Sequence, residues 1–362
     1  MTRPVIALLG RKDEPTDAVE EYCRYLGTAL VAHEIQLEIC RVPWEIYGWP
    51  NALDALQHQA KNWRGVCVLV QYTALAWSSR GFPHRFLRVL KMLKSAGARV
   101  GIIYHDVEPY HGERLIDFLR RFVQLRTMHR ALVYSDVAIF TVPLDNISWL
   151  AGSVTHAHFI PVGPNLPIPE TRSTDSRKNE PSTIGVFSIT GGAAGAYETQ
   201  IIISAVRYAA ERLGKLRLLI FGRNAELREA ELRRGISDFL VDLSVEGVVQ
   251  ADQVVQRLSA CDLLLFVRGP ISSRRSSAIA GIACGLPVVA FQGPDTVPPI
   301  TEAGLVLVPS DRPDQLSAAL VRVLSERGFR DDLAARSRVA FQSHFAWPSI
   351  AARFATILDK KC

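Results

Sequence analysis

The amino-acid sequence predicts an α/β protein with two doubly wound parallel-sheet domains that face a cleft. The 362 residues exceed what one ordinary hydrophobic core organises, and 48% hydrophobic with 22% charged residues is typical of a soluble globular protein. Short apolar runs alternate with helix-length segments in both halves, as in a parallel sheet covered by helices. The alternation breaks once, at residues 165–183, where Pro, Ser, Thr and charged residues predict a linker.

The first predicted domain covers residues 1–164. Continuous apolar runs predict its strands, at Val5–Leu9, Ile35–Cys40, Gly65–Val70, Arg99–Tyr104 and a run ending at Phe140. Helices are predicted at about Thr16–Ala32, Asn51–Lys61 and Pro83–Ala96 and from Glu113 onward. Because such sheets bind ligands beyond the carboxyl ends of their strands, the loops that follow these strands are candidate sites.

The loop after Tyr104 is the most informative of these loops. His105 and Asp106 stand at its start, and an adjacent carboxylate can orient a histidine and raise its pKa. We therefore predict that these two residues are catalytic; a surface loop that caps the next helix is the alternative. Gly10 and Arg11 follow the first strand and are predicted to line the same cleft.

The second predicted domain covers residues 184–344. Its strands are predicted at Ile184–Ile189, Leu216–Phe221, Phe239–Leu243, Val245–Val249, Leu263–Val267, Val288–Phe291 and Val306–Val308. Its helices are predicted up to about Arg212 and at Ala225–Arg234, Asp252–Ala260, Arg274–Ala283, Pro313–Ser325 and Asp331–Ser343, and a last helix, Ile350–Leu358, follows a Trp-Pro break.

Two stretches of this domain predict a phosphate site. Gly191 and Gly192 directly follow a strand and precede a helix, so their N–H groups can approach an anion closely. Arginines and hydroxyls surround the start of another helix, whose end already carries a partial positive charge: Ser272, Ser273, Arg274, Arg275 and Ser276. A solvated, serine-capped helix start is the alternative. Three further residues at strand ends are predicted to contact the nucleoside or line the cleft: Gly222, Arg223 and Arg268.

Three segments carry a resemblance to a known family. These are the Ala-Cys-Gly-Leu-Pro segment within 283–290, the strand approach Ala260–Leu263, and Glu302–Pro309. They resemble GT-B glycosyltransferases of the family-4 (group 1) type, which have two Rossmann-like domains. The resemblance implies that the final helix, about residues 345–362, returns to the first domain. It also places His105 near the anomeric centre of the donor sugar.

The sequence departs from that family at the donor site. Family members place two glutamates eight positions apart, where this chain has Ser272 and Ala280. The family's Arg and Lys pair for the donor diphosphate is also missing, and Tyr197 stands near the lysine position. Our hypothesis is a relocated diphosphate site, in which Arg274 and Arg275 replace the lost pair.

The resemblance implies a transferase that moves a sugar from a nucleotide-diphosphate sugar to a glycan or lipid-linked acceptor. Retention of configuration is expected, in cell-surface polysaccharide or glycoconjugate synthesis, and neither a cofactor nor a metal is expected. Asp106 is the alternative base to His105. Two other functions stay open: a sugar-nucleotide 2-epimerase of the same fold, and a nucleotide-sugar-binding protein without catalysis.

Charge and cysteine content bear on partners and location. A net charge of +6 and a pI near 9.1 suit a phosphate ligand or an anionic membrane surface, and are too small to indicate nucleic acid. Basic residues on two helices of the first domain, together with Trp44, Tyr47 and Trp49, suggest peripheral docking on a membrane. Six dispersed cysteines are predicted to be reduced, and no signal peptide or membrane span is predicted, so a cytoplasmic location is expected.

Overall fold

The computed structural model describes residues 2–14, 16–150, 152, 154–168, 181–237 and 240–361. The chain divides into two compact units: unit 1 comprises Met1–Val162 and Trp347–Cys362, and unit 2 comprises Gly163–Ala346. Most of the predicted linker, residues 169–180, lies outside the described residues, as does Phe239, the first residue of one predicted strand.

Unit 1 contains a six-stranded, fully parallel sheet in the order β2-β1-β3-β4-β5-β6. Its strands are β1 (Arg3–Leu9), β2 (Ile35–Arg41), β3 (Cys67–Tyr72), β4 (Arg99–Tyr104), β5 (Val137–Phe140) and β6 (Ala157–Phe159). The helices that follow them in this unit are α1 (Ala18–Leu30), α2 (Trp44–Ala60), α3 (Phe86–Ser95) and α4 (Leu115–Tyr134). The central strands read as unbroken apolar runs because both faces of the sheet are covered.

Unit 2 contains a second six-stranded parallel sheet, in the order β12-β11-β10-β7-β8-β9. Its strands are β7 (Ser182–Phe187), β8 (Leu216–Phe221), β9 (Val241–Glu246), β10 (Leu263–Phe266), β11 (Val288–Gln292) and β12 (Leu305–Pro309). Its helices are α5 (Gly192–Leu213), α6 (Glu229–Ile236), α7 (Ala251–Ser259), α8 (Ser276–Ala283), α9 (Pro313–Ser325) and α10 (Arg327–Ala340).

The last helix, α11 (Trp347–Lys361), belongs to unit 1 and packs against α1. The indole of Trp347 stacks on Tyr25 with ring centroids 5.8 Å apart and meets the edge of Tyr22 at 5.3 Å. Arg3 at the start of β1 pairs with Asp359 near its other end, at 3.1 Å. The helix therefore contacts both α1 and the start of β1.

The structure confirms the predicted α/β fold class, with two doubly wound parallel sheets. In unit 1 the strand order reverses at β1, which lies between β2 and β3, and in unit 2 it reverses at β7, between β8 and β10. Crevices open beyond the carboxyl ends of strands at such reversals, so these two edges are where ligands are expected. No helix in the described part of the chain combines the length and apolar character needed to cross a membrane.

Several local predictions were wrong. The helix after the serine-arginine stretch begins at Ser276, two residues later than predicted, because Arg275 has a non-helical backbone (φ −90°, ψ 82°). The two short strands predicted after Phe239 are one strand, β9. Cys67 is disulfide-bonded, so the prediction of six reduced thiols does not hold for it; Cys23, Cys40, Cys261 and Cys284 are free.

Candidate donor and catalytic sites

The first part of the candidate donor site is the start of α5, directly after β7. Gly191 is the N-cap, with no side-chain hydrogen bond to the first turn, so the N–H groups of that turn keep their donor capacity. Gly192 has φ +66°, and a Cβ built on it would meet nothing within 4 Å. The space beside the helix start is therefore open, and glycine satisfies the left-handed backbone.

Three arginines form the second part of this site. Arg268 follows β10, which is hydrogen-bonded to β7, and Arg274 and Arg275 precede α8. Their Nε atoms are buried and have no hydrogen-bond partner in the described part of the chain. The side-chain bonds of two of them are long: Arg268 to the Ser277 hydroxyl at 3.5 Å, and Arg274 to Asp295, also at 3.5 Å. Buried donors without partners cost free energy, so an added acceptor at this cluster would be favourable.

The electrostatics of the cluster agree with that conclusion. Burial, followed by repulsion from Arg274 and Arg268, lowers the pKa of Arg275 to about 10. Burial lowers the pKa of Arg268 as well, and neighbouring Arg223 adds to the effect. An arginine normally keeps its charge, so a lowered pKa means that the folded protein holds these charges at a cost. A bound anion would lower this free-energy cost by attracting the Arg268 and Arg275 charges.

Glu198 of α5 is a second acidic group near this cluster, besides Asp295. It is 5% exposed, and its carboxylate accepts the N–H of Thr190 at 2.8 Å. Its charge raises the pKa of both Arg268 and Arg275, so it lies close to them and to the start of α5 at once. This position was missed from the sequence, because Glu198 lies in the second turn of an amphipathic helix that carries no motif there.

The predicted serines divide into two groups. Ser272 and Ser273 are almost completely buried, and the carbonyl of Ser272 accepts the Arg275 N–H at 3.1 Å. The Ser273 hydroxyl is buried without a partner among the described residues. Ser276, the first residue of α8, is partly exposed. The Ser272 carbonyl thus stabilises the turn before α8 that contains Arg274 and Arg275. The hydroxyls of Ser273 and Ser276 can still form hydrogen bonds with a ligand.

Gly222 and Arg223, at the end of β8, lie beside the same edge. Gly222 has φ +98°, and a Cβ there would come within 2.6 Å of the Ser188 hydroxyl. The Arg223 carbonyl accepts the N–H of Ile189, and its N–H donates to Ser188. Gly222 therefore serves the close approach of two loops, and Arg223 is near enough to Arg268 to affect its pKa.

In unit 1, His105 stands at the carboxyl end of β4. Its Nε2 atom lies 2.8 Å from the Gln71 side-chain oxygen, and the Gln71 amide nitrogen donates to the Leu69 carbonyl at 3.1 Å. Because that second bond fixes which end of the amide faces the ring, Nε2 must carry the proton and Nδ1 is the basic atom. The Tyr22 ring meets the imidazole edge-on at 5.0 Å.

The predicted pairing of His105 with Asp106 is wrong at Nε2, and so is the predicted direction of the pKa shift. Burial lowers the pKa of His105 to about 4, and the charge of Asp17 opposes this only in part. The Asp106 carboxylate instead accepts the Ala74 N–H at 2.8 Å and anchors the loop after β3. His105 is therefore a neutral imidazole at physiological pH.

A cavity of about 220 Å³ lies beyond the ends of β1, β3 and β4 in unit 1. Gln71 and Asp106 line it, together with the predicted cleft residues Gly10 and Arg11. Gly10 cannot be another residue without a shift, since a Cβ would lie 2.2 Å from the Ala76 carbonyl oxygen. The Arg11 side chain pairs with Glu45 at 3.6 Å. The structure thus brings three of the four residues predicted for this domain to one cavity, and the fourth, His105, contacts the lining residue Gln71.

Arg41, at the end of β2, supports this edge and was missed from the sequence. It donates to the Gly10 carbonyl at 3.0 Å, to Asp17 at 3.0 Å and to Glu20 at 2.6 Å. Asp17 also caps α1 by accepting the N–H groups of Val19 and Glu20. The sequence did carry one signal for Arg41: it is a charged residue at the carboxyl end of a strand, where such sheets bind ligands.

Comparisons with known proteins give a family-model match over part of the chain and a fold over nearly all of it. Residues 189–326 match the model of the family described as glycosyl transferases group 1. No curated protein sequence matches the chain. Among solved structures, sucrose-phosphate synthase from Thermosynechococcus elongatus is 18% identical with a TM-score of 0.72, covering 99% of this chain and 98% of that one.

Two further structures are similar over their full length. HepE of Anabaena, solved with UDP and glucose, is 16% identical with a TM-score of 0.67, covering 99% of this chain and all of that one. A putative UDP-N-acetylglucosamine 2-epimerase from Listeria monocytogenes is 13% identical with a TM-score of 0.61, covering 99% of this chain and 96% of that one. These likenesses confirm the GT-B fold predicted from the sequence, and the match to the group 1 glycosyl transferase model lies within unit 2.

Proposed function

We propose that this protein is a glycosyltransferase that moves a sugar from a nucleotide-diphosphate sugar to a glycan or lipid-linked acceptor. The observation that carries the proposal is the arginine cluster of unit 2, with buried, unpartnered Nε donors on Arg268, Arg274 and Arg275 beside the open start of α5. The group 1 family match covers this region, and HepE of the same fold was solved with UDP-glucose. A uridine nucleotide is the first donor to test.

The arginine cluster suits the chemistry of the leaving group. A sugar transfer releases a nucleoside diphosphate, whose growing negative charge must be stabilised in the transition state. Each charge-assisted hydrogen bond to it contributes roughly 1.5–3 kcal/mol. Arg274 and Arg275, with N–H groups of Gly191 and Gly192, provide such donors without a metal ion or another cofactor. These residues would replace the family's Arg and Lys pair.

The neutral imidazole of His105 suits contact with an uncharged sugar. Its Nε2 proton is committed to Gln71, so the basic Nδ1 atom can accept a hydrogen bond from a sugar or acceptor hydroxyl. Asp106, which lines the cavity of unit 1, is the other candidate base. We propose transfer with retention of configuration, in the synthesis of cell-surface polysaccharide or glycoconjugate at the cytoplasmic face of a membrane.

Binding and turnover should be measured with a panel of nucleotide sugars on the purified full chain. Arg274→Ala and Arg275→Ala should each weaken donor binding about tenfold or more in calorimetry, which is the loss of one charge-assisted contact. Arg233→Ala is the matched control, since Arg233 is exposed and paired with Glu229 on α6. Unchanged donor affinity in both cluster variants would overturn the relocated site.

The same panel separates the other functions of this fold. His105→Ala should lose turnover while it keeps its fold and its affinity for the nucleotide; full activity would refute a catalytic role for His105. Epimerisation of the donor sugar without any acceptor would instead identify an epimerase. Tight binding with neither hydrolysis nor transfer for any donor would identify a binding protein.

A further inference from the structure

Over its first turns, helix α4 of unit 1 exposes its apolar side chains and buries polar ones, which is the reverse of an ordinary amphipathic helix on a protein core. Its exposed side carries Leu115, Phe118, Leu119 and Phe122, which are 88%, 59%, 53% and 61% exposed. Their spacing of three and four residues puts them on one face. Large apolar side chains in such a stripe normally turn toward the core, so this arrangement needs a physical reason.

The reason lies on the buried side of the same turns, which is polar. Asp117 is 6% exposed, accepts the Arg114 N–H and pairs with Arg120. Gln124 is 3% exposed; it accepts the Tyr110 N–H at 2.7 Å and donates to the Gly81 carbonyl at 2.9 Å. These satisfied buried groups fix the rotation of the helix. The apolar stripe is therefore held outward by specific contacts.

The second half of α4 is basic on the same exposed side. Arg126 and Arg130, together with Arg88 and Lys91 of α3, line a groove of about 320 Å³. Within the described ranges none of these four side chains forms an ion pair. The groove also includes His84 and apolar atoms of Leu87 and Val123, and it has no acidic residue. The groove is therefore positively charged, and it lies on the same face of α4 as the four exposed apolar side chains.

We propose that this face of α3 and α4 docks on a bilayer containing anionic phospholipid. The four apolar side chains would enter the headgroup region, where helices of this kind sit about 5–10 Å deep, and the groove would hold phosphate headgroups. Charge complementarity selects the occupant, since four unpaired cations beside an apolar stripe match an anionic interface. Trp44 and Trp49, predicted from the sequence to take part, are buried and do not.

This docking surface shares no residue with the donor or catalytic sites, so its test is independent of the transferase. The membrane part of the proposed function rests on it. Soluble-acceptor turnover should be the same for wild type and for surface variants, which distinguishes a failure of docking from a failure of the catalytic proposal.

The test is sedimentation of the full chain with phosphatidylcholine vesicles, with and without about one third phosphatidylglycerol. Wild type should bind the anionic vesicles only, and binding should fall with added salt. Phe118→Ser with Phe122→Ser should reduce binding about tenfold or more, because two partly inserted rings are lost. Arg126→Glu with Arg130→Glu should reduce it by at least as much.

Two controls separate docking from general effects. Leu227→Ser removes an exposed apolar side chain of unit 2, which is 76% exposed. Arg322→Glu with Arg327→Glu makes the same change in net charge on α9 and α10; both side chains are exposed and each forms an i,i+4 ion pair. Both controls should bind vesicles as wild type does.

Three results would overturn the proposal. One is equal binding to neutral and anionic vesicles, and another is full binding by both α4 variants. The third is self-association without lipid, seen in sedimentation equilibrium and lost with Phe118→Ser and Phe122→Ser, which would make this face an interface between copies of the chain.

Discussion

Arg275→Met should stabilise the unliganded protein and weaken its donor binding at once. Burial and the neighbouring cations lower the pKa of Arg275 to about 10. At about 1.4 kcal/mol per pH unit, the folded state then disfavours this charge by about 3 kcal/mol at most. The side chain is partly exposed and solvent screens the repulsion, so a gain of about 1–2 kcal/mol is the realistic expectation. Methionine keeps much of the side-chain volume without the charge.

The assay is thermal unfolding of the full chain at pH 7.5, with and without UDP. Unit 2 spans 163–346, and a domain of this size shifts by about 2–4 °C per kcal/mol. The unliganded variant should therefore melt about 2–8 °C above wild type. Saturating UDP should raise the melting temperature of wild type more than that of the variant, since the shift follows from affinity.

Arg233→Met is the control for a general effect of removing an arginine. Arg233 is exposed and paired with Glu229 at 2.7 Å, so its loss should change the melting temperature little in either condition. An Arg275→Met protein that melts lower than wild type, yet shows the full shift with UDP, would refute the reasoning. Arg275 would then be a structural residue held by favourable contacts.

Two further predictions concern unit 1. Gly10→Ala should destabilise the protein by about 1–3 kcal/mol in urea unfolding, because its Cβ would lie 2.2 Å from the Ala76 carbonyl oxygen; Gly328→Ala, with nothing within 4 Å of its Cβ, should be neutral or slightly stabilising. The pKa of His105 is about 4 when folded and about 6.5 when unfolded. The unfolded chain therefore takes up the proton first, and stability should fall as pH drops through that window, by about 2 kcal/mol between pH 7.5 and 5. His105→Gln should lack this component of the pH dependence, and an identical pH dependence in both proteins would contradict the assignment.

The fold was predictable from the sequence where burial on both faces leaves an unbroken apolar run. Arg99–Tyr104 and Leu216–Phe221 were predicted with the bounds that the structure has. The start of α2 was not, since Gly48 interrupts the helix with φ +75° and Pro50 follows it, which together look like a loop. β6 has only three residues and no apolar run, so the sequence carries no signal for it.

The candidate site was predictable only where its residues directly follow a strand or precede a helix. His105 directly follows β4, and Arg274 and Arg275 precede α8, whereas Gln71 lies within β3. Its contact with His105 depends on the register of β3 and β4, which pairs Gln71 with Ile103, two residues before His105 on the same face. A one-residue slip would put the two side chains on opposite faces. Sequence spacing holds no information on that register, so Asp106, the adjacent carboxylate, was the wrong partner.

The charge balance of the two edges supports the proposed diphosphate site in unit 2 over one in unit 1. In unit 1 the strand-end arginines have acceptors of their own: Arg41 contacts two carboxylates and a carbonyl, and Arg11 pairs with Glu45. In unit 2 Arg268 and Arg275 have lowered pKa values and buried donors without partners. An anion brought to unit 1 would compete with existing ion pairs, whereas in unit 2 it would relieve repulsion already present. The sequence resemblance implies two glutamates at the positions of Ser272 and Ala280, and their absence also favours an anion in unit 2. Carboxylates at these positions would neutralise part of the arginine charge that is proposed to bind the diphosphate.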